Sequence, residues 1–168
     1  QLTAQTVTRF GLGFAPDTWD SLVRAMKALG YSEQELFDGG LVRHGRSGGV
    51  YDTFRNRLMF PVIDVRGNVI GFSGRILGDG EPKYMNSPET IVFSKSHNLF
   101  ALNLAKKSKC GYIILAEGNI DVASLHQAGF DNAVASLGTS LTEEHAQLLS
   151  RYFKDAILSY DGDGAGIA

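Results

Sequence analysis

Tyr112-Ile113-Ile114-Leu115-Ala116-Glu117-Gly118-Asn119-Ile120-Asp121 is the stretch on which the reading of the second part of the chain turns. Five apolar residues in a row suit a strand buried on both faces, as the central strands of parallel sheets are. An acid follows at once, and residues 120–128 predict a short helix that stops at Gly129. Residues 133–136 read as a second strand, Thr142 as the cap of a helix running to about Tyr152, and residues 156–160 as a third strand. Strands alternating with helices at this spacing mean a parallel α/β sheet.

Ligands of open parallel sheets bind beyond the carboxyl ends of the strands. Glu117 directly follows the first strand, Asp161 directly follows the third, and Asp163 lies two residues further on. Carboxylates gathered in one crevice repel one another, so they need a cation to be stable together. Mg²⁺, which takes a few carboxylates plus waters and phosphates, suits the set. Asp121 is expected one helical turn from Glu117 on the same side, with capping of the helix start as its other reading. The run Asp161-Gly162-Asp163-Gly164-Ala165-Gly166 does not fit a calcium loop, which wants an oxygen ligand where Ala165 stands. An aspartyl-nucleophile phosphatase also places Asp-x-Asp after an apolar strand, and a plain glycine turn remains a third reading.

Upstream, the first forty residues read as helical. Trp19, Leu22, Val23, Met26 and Leu29 recur at three- and four-residue intervals before Gly30, which puts Trp19 in the core. Ser32 with Glu35 forms a capping-box start. Residues 43–49 read as a loop. The apolar runs 58–63 and 69–72 flank Arg66-Gly67-Asn68 and predict a β-hairpin. Residues 78–90, with Gly78, Gly80, Pro82 and Pro88, read as irregular, and residues 99–107 as a short helix.

The chain has 168 residues, with 43% hydrophobic and 20% charged, as a folded domain or two small subdomains would. Its net charge of −2 hides an asymmetry. Residues 41–110 carry eleven Lys/Arg against five Asp/Glu, a balance of +6, and residues 111–168 carry two against eight, a balance of −6. A polyanion on the first stretch and metal ions in the second would suit that pattern. The single cysteine, Cys110, excludes an internal disulfide framework and a cysteine-rich zinc ribbon, and points to a reducing cytosol. No apolar run reaches the roughly 18 residues of a membrane span, and no secretion leader is visible. The start at Gln1, without methionine, reads as an excised segment. His126 and His145 lack metal-ligand spacing and are expected to pack or face solvent. Trp19, Phe54, Phe72 and Tyr84 have the chemistry to stack on bases, although the apolar stripe favours the core for Trp19.

Several of these residues resemble one family. Glu117-Gly118-Asn119-Ile120-Asp121-Val122, Ala135-Ser136-Leu137-Gly138-Thr139-Ser140 and Tyr160-Asp161-Gly162-Asp163 resemble the TOPRIM half of the bacterial replicative primase, the DnaG type. Arg9-Phe10-x-x-Gly13-Phe14-Ala15-Pro16, Tyr51-Asp52-x-Phe54-Arg55-x-Arg57-x-Met59-Phe60-Pro61, Gly71-Phe72-Ser73-Gly74-Arg75 and Pro82-Lys83-Tyr84-x-Asn86-Ser87-Pro88-Glu89-Thr90 resemble the same family's basic N-terminal subdomain. The motifs stand in family order over nearly the whole chain. The resemblance implies a mixed α+β basic subdomain over residues 1–109, then an incomplete TOPRIM, Rossmann-like parallel sheet over residues 110–168.

It implies an enzyme, a DNA-directed RNA polymerase that joins ribonucleoside triphosphates into short RNA primers on single-stranded DNA. By resemblance Glu117, Asp161 and Asp163 are the acids that bind Mg²⁺ or Mn²⁺, with Asp121 beside them. Arg75, Lys83 and Lys95 handle template and nucleotide, and Arg55 and Arg57 form the adjacent basic motif. The full family carries zinc in an N-terminal module and meets the replicative helicase through a C-terminal domain. It works in the bacterial cytoplasm at the replication fork and involves no membrane. This chain departs from the pattern at Asn119-Ile120, where Tyr-Met is usual, and at Gly164, where a basic residue is common. The family's further Asp-x-Asp falls beyond residue 168, so these residues alone are expected to bind Mg²⁺ weakly and to make little or no primer. A different TOPRIM enzyme, such as a phage primase-helicase or a nuclease, and a non-catalytic single-strand-binding module are the competing readings.

Overall fold

The computed structural model describes residues 1–46 and 48–160. Helix α1, Ala4–Phe10, starts where the Thr3 hydroxyl accepts the Thr6 amide and ends at Gly11 in the left-handed region. Strand β1, Gly13–Ala15, lies in the segment expected to be wholly helical. It forms because it pairs with a later strand, which local periodicity does not register. Helices α2, Ser21–Ala28, and α3, Glu33–Asp38, follow, the second with the expected capping box between Ser32 and Glu35. Val23 and Leu36 pack with Val42 in a small cluster.

Trp19 corrects the periodic reading, because it is 65% exposed. The helix begins only at Ser21, and its first turn is capped from a distance. The Asp52 carboxylate accepts the amides of Leu22 and Val23 at 2.8 and 3.0 Å and the Ser21 hydroxyl at 3.2 Å. Arg43 and His44, expected in a loop, belong to β2 (Val42–His44), which pairs antiparallel with β3 (Val50–Asp52).

The predicted hairpin forms as β4, Arg57–Ile63, and β5, Val69–Ile76. Asp64 organises its turn by accepting the Arg66 and Asn68 amides at 2.8 and 2.9 Å, and Gly67 takes φ +101° there. Strand β6, Tyr84–Asn86, sits within the segment expected to be irregular and completes an antiparallel sheet in the order β1-β4-β5-β6. A 3-10 turn at Lys95–His97 precedes α4, Leu102–Ala105, which is shorter than the predicted helix.

Then comes the alternating part: β7 (Tyr112–Ala116), α5 (Asn119–Gln127), β8 (Ala133–Ala135), α6 (Glu143–Leu149) and β9 (Asp155–Ser159). The three strands are parallel in the order β8-β7-β9. This mixed architecture, an α+β part followed by a parallel α/β sheet, is the expected fold class. The two sheets share one core: Phe10, Phe60 and Phe100 lie in the same buried cluster as Ile114, Val122 and Ala135. Phe100 stacks on Phe10 and meets Phe60 edge-on, while its backbone pairs with Ala135. Among the described residues no helix is long and apolar enough to cross a membrane.

Candidate active site

The acidic crevice is built by chain direction. Strands β7 and β9 are neighbours whose carboxyl ends lie level, with Ala116 opposite Ser159. Glu117 emerges there, exposed, and Gly118 opens α5. A Cβ added to Gly118 would stand 2.8 Å from Asp121 Oδ2. The missing side chain therefore lets the Asp121 carboxylate fold back over the turn. Asn119, the next residue, is buried.

A cavity of about 370 Å³ lies beyond these strand ends and is lined by Glu117, Asp121, Ser124 and Ser159 among others. Burial first, and the negative charge of Glu117 second, push the Tyr160 hydroxyl above its ordinary pKa. Asp161 and Asp163 lie outside the described residues. Among the described residues no three His, Cys, Asp or Glu side chains gather in a metal-binding group. The donors that are described, Glu117 and Asp121, offer hard carboxylate oxygens, which fit Mg²⁺ or Mn²⁺ rather than a soft metal.

A second cavity, of about 380 Å³, joins this crevice to the antiparallel sheet. Glu117 and Asp121 line one side, and Ser73, Lys83, Tyr84 and Asn86 line the other. The Asn86 side-chain amide donates to the Leu137 carbonyl at 2.8 Å, tying β6 to the segment after β8. Gly138 follows at φ +72°, and a Cβ there would stand 2.9 Å from Asn86 Nδ2. Glycine at 138 thus permits both the backbone conformation and the close approach.

The basic residues divide by environment. Lys83 is exposed beside the second cavity. Arg75 projects from β5, its guanidinium 5.9 Å from the centre of the Tyr84 ring. Its Nε is buried with no hydrogen-bond partner among the described residues. Arg57 is 5% exposed and donates to the carbonyls of Gly74 and Lys83 at 3.3 and 3.4 Å. Burial, and then the charge of Arg55, lower its pKa. It therefore braces the backbone from which Lys83 projects. Lys95 lies in the 3-10 turn, where its amide donates to Glu89 Oε1 at 2.9 Å.

Arg55 stands elsewhere, at a third cavity of about 400 Å³ that Trp19, Arg43, Tyr51 and Arg57 also line. Its guanidinium lies 4.1 Å from the Trp19 ring centre and 5.2 Å from that of Tyr51, and it donates to the Asp52 carbonyl. Arg43 and Tyr51 line this cavity although the sequence reading does not single them out for binding, and that reading places Trp19, a candidate for base stacking, in the core. The apolar stripe favours the core for Trp19, and its exposure in the fold, with the Arg55 guanidinium over its ring face, corrects that. Phe54, one candidate for base stacking, is buried and meets Phe72 edge-on, whereas Tyr84 stays exposed.

The family model described as "DNA primase catalytic core, N-terminal domain" matches residues 1–106, and the one described as "Toprim domain" matches residues 111–168. The DNA primase of Clostridium acetobutylicum is 52% identical over 168 residues, which cover 99% of this chain and 28% of that protein. The DNA primase of Deinococcus radiodurans is 47% identical, with 99% of this chain and 30% of that protein covered. The chain thus spans under a third of the length of these curated relatives. Among solved structures, the E. coli primase catalytic core superposes with a TM-score of 0.91 at 44% identity, covering 98% of this chain and 53% of that one. A DnaG primase catalytic domain bound to ssDNA superposes with a TM-score of 0.88 at 45% identity, covering 98% and 54%. With a primase-core model over its first 106 residues and a Toprim model over the rest, the chain belongs to the DNA primase catalytic-core family.

Proposed function

We propose that this chain forms the template- and metal-facing centre of a DNA primase, which joins ribonucleoside triphosphates into short RNA primers on single-stranded DNA. The observation that carries this reading is the cavity bounded by Lys83, Tyr84 and Asn86 on one side and by Glu117 and Asp121 on the other. It sets cationic and hydrogen-bonding groups for a polyphosphate against carboxylates suited to a divalent cation. Residues 1–109 supply the basic wall and residues 110–168 the acidic crevice.

Primer extension breaks the bond between the α- and β-phosphates as a ribose hydroxyl attacks the α-phosphate, and pyrophosphate leaves. Glu117, Asp161 and Asp163 would hold Mg²⁺, which when bound lowers the pKa of the attacking hydroxyl and neutralises charge on the phosphates. Asp121 stands beside Glu117 and adds negative potential that favours the cation. Lys83 offers a point charge to the triphosphate, and Arg75, partly buried against Tyr84, a fixed fork of donors. Lys95 contributes a second point charge. Trp19, Tyr51 and Arg55 form a mixed aromatic and cationic surface of the kind on which single-strand bases stack. Arg57 keeps that surface and the Lys83 strand in register. The complete protein acts at the cytoplasmic replication fork, with its helicase contact and zinc module outside this segment.

The test is a primer-synthesis assay on the complete protein carrying Glu117→Gln, Lys83→Ala or Trp19→Ala. Glu117→Gln should lower synthesis by about a hundredfold or more, as the loss of one charge-stabilising group in an active site does, with single-strand affinity unchanged. Trp19→Ala should instead weaken single-strand binding by about 1–3 kcal/mol. Undiminished synthesis by Glu117→Gln would reject the reading, and Mg²⁺-dependent strand cleavage in place of synthesis would move the chain to a nucleolytic Toprim activity.

A further inference from the structure

The Lys95 turn is gripped by two side chains at the start of α6, those of its N-cap Thr142 and of His145. His145 is fully buried. Its Nε2 lies 2.8 Å from the Lys95 carbonyl and 3.1 Å from that of Asn98. Its Nδ1 lies 3.2 Å from the Thr142 amide. Carbonyls only accept and the amide only donates, so the ring is held as the Nε2–H tautomer with both nitrogens used. The Thr142 hydroxyl in turn donates to the Ser96 carbonyl at 2.9 Å. Three carbonyls of residues 95–98 are thus satisfied from the parallel-sheet part. The other side of the turn is fixed by Glu89, which accepts the Lys95 amide, and by Asn98, which donates to the Ser94 carbonyl at 2.8 Å.

A capping box needs only an acceptor at the third helical position, and Glu or Gln ordinarily provides it. Histidine here provides that acceptor and also a donor aimed out of the helix at the Lys95 backbone. We propose that His145, assisted by Thr142, is a positioning residue that acts through Lys95, fixing where its ammonium meets the triphosphate. This rests on the reading of Lys95 as a phosphate-facing group.

The experiment is a double-mutant cycle in the complete protein, measuring KM for the ribonucleoside triphosphates, kcat and melting temperature. His145→Ala should raise KM about tenfold, the order expected when one charged contact is lost, with kcat within about twofold. His145→Gln keeps a cap acceptor and a donor, and should return KM to within about twofold of the parent. In a Lys95→Ala background His145→Ala should add nothing to KM, while lowering the melting temperature in both backgrounds. Additive effects on KM would overturn the proposal and leave the role of Lys95 standing. So would a failure of His145→Gln to restore KM. If Lys95→Ala alone leaves KM unchanged, the phosphate-facing reading of Lys95 and the positioning role fail together. Should His145→Ala not fold, Thr142→Val takes its place in the cycle with the same expectation at smaller size.

Discussion

Gly118 illustrates how a residue without a side chain sets the position of a charged one. Its backbone needs no glycine on conformational grounds, since its φ is −125°. What excludes a side chain is the Asp121 carboxylate, whose Oδ2 occupies the space where a Cβ would come within 2.8 Å. That oxygen ends a movable side chain, so alanine at 118 would displace it at little cost to the fold. Gly118→Ala is therefore expected to weaken the apparent Mg²⁺ affinity of primer synthesis several-fold, about 1 kcal/mol, while costing stability less than about 1 kcal/mol. Titrating Mg²⁺ against synthesis, alongside thermal melts, checks this. An unchanged Mg²⁺ dependence would mean that Asp121 plays no part in holding the cation. At this scale the sequence is legible where chemistry follows an element end: Glu117 stands at the strand tip because the apolar run stops there. Trp19 is not legible, because three- and four-residue spacing cannot tell a residue inside the helix from one just ahead of it. Its exposure follows from where Asp52 starts α2.

That start also shows what governs whole elements. Helix α2 has no capping side chain at its own N-cap, Asp20. Its exposed amides are met by Asp52, a 2% exposed residue at the end of β3, some thirty positions away. Helix starts with local caps, at Ser32 and Thr142, are readable because donor and acceptor lie within four residues. A cap supplied through tertiary structure leaves no such spacing. Strands β1, β2, β3 and β6, each three residues long, escaped for a related reason. Each exists only by pairing, and β6 does so amid residues whose glycine and proline content argues for a loop. Asp52→Ala would leave the buried Val23 amide, the half-buried Leu22 amide and the Ser21 hydroxyl without their acceptor, and should cost about 2–3 kcal/mol. Asp52→Asn, which keeps one acceptor oxygen, should cost less. Urea unfolding of the two variants gives the comparison, and equal losses would show that a single acceptor oxygen does not sustain the cap.

For the whole molecule, the division into a basic stretch and an acidic stretch is visible in the charge count, but their mechanical union is not. The balance of +6 over residues 41–110 and −6 over residues 111–168 says that two kinds of surface exist. It does not say that one hydrophobic cluster joins Phe10, Phe60 and Phe100 to Ile114 and Ala135. Apolar periodicity marks which face of an element is buried and is silent on its partner. Phe100 is the residue on which this union turns, being 2% exposed, in contact with two phenylalanine rings and paired by backbone with β8. Truncating such a side chain costs about 3–5 kcal/mol. If the two sheets unfold as one body, Phe100→Ala should lower amide protection at Phe60 and Val62 in β4 and at Ile114 and Leu115 in β7 by the same free energy. Native-state hydrogen exchange reads both sheets at once. Loss of protection in β7 alone would mean that the parallel sheet melts independently of the basic wall. The cavity between Lys83 and Glu117 would then depend on docking of two separately stable units, tied by the Asn86 bond to Leu137 and by the Thr142 and His145 bonds to the Lys95 turn.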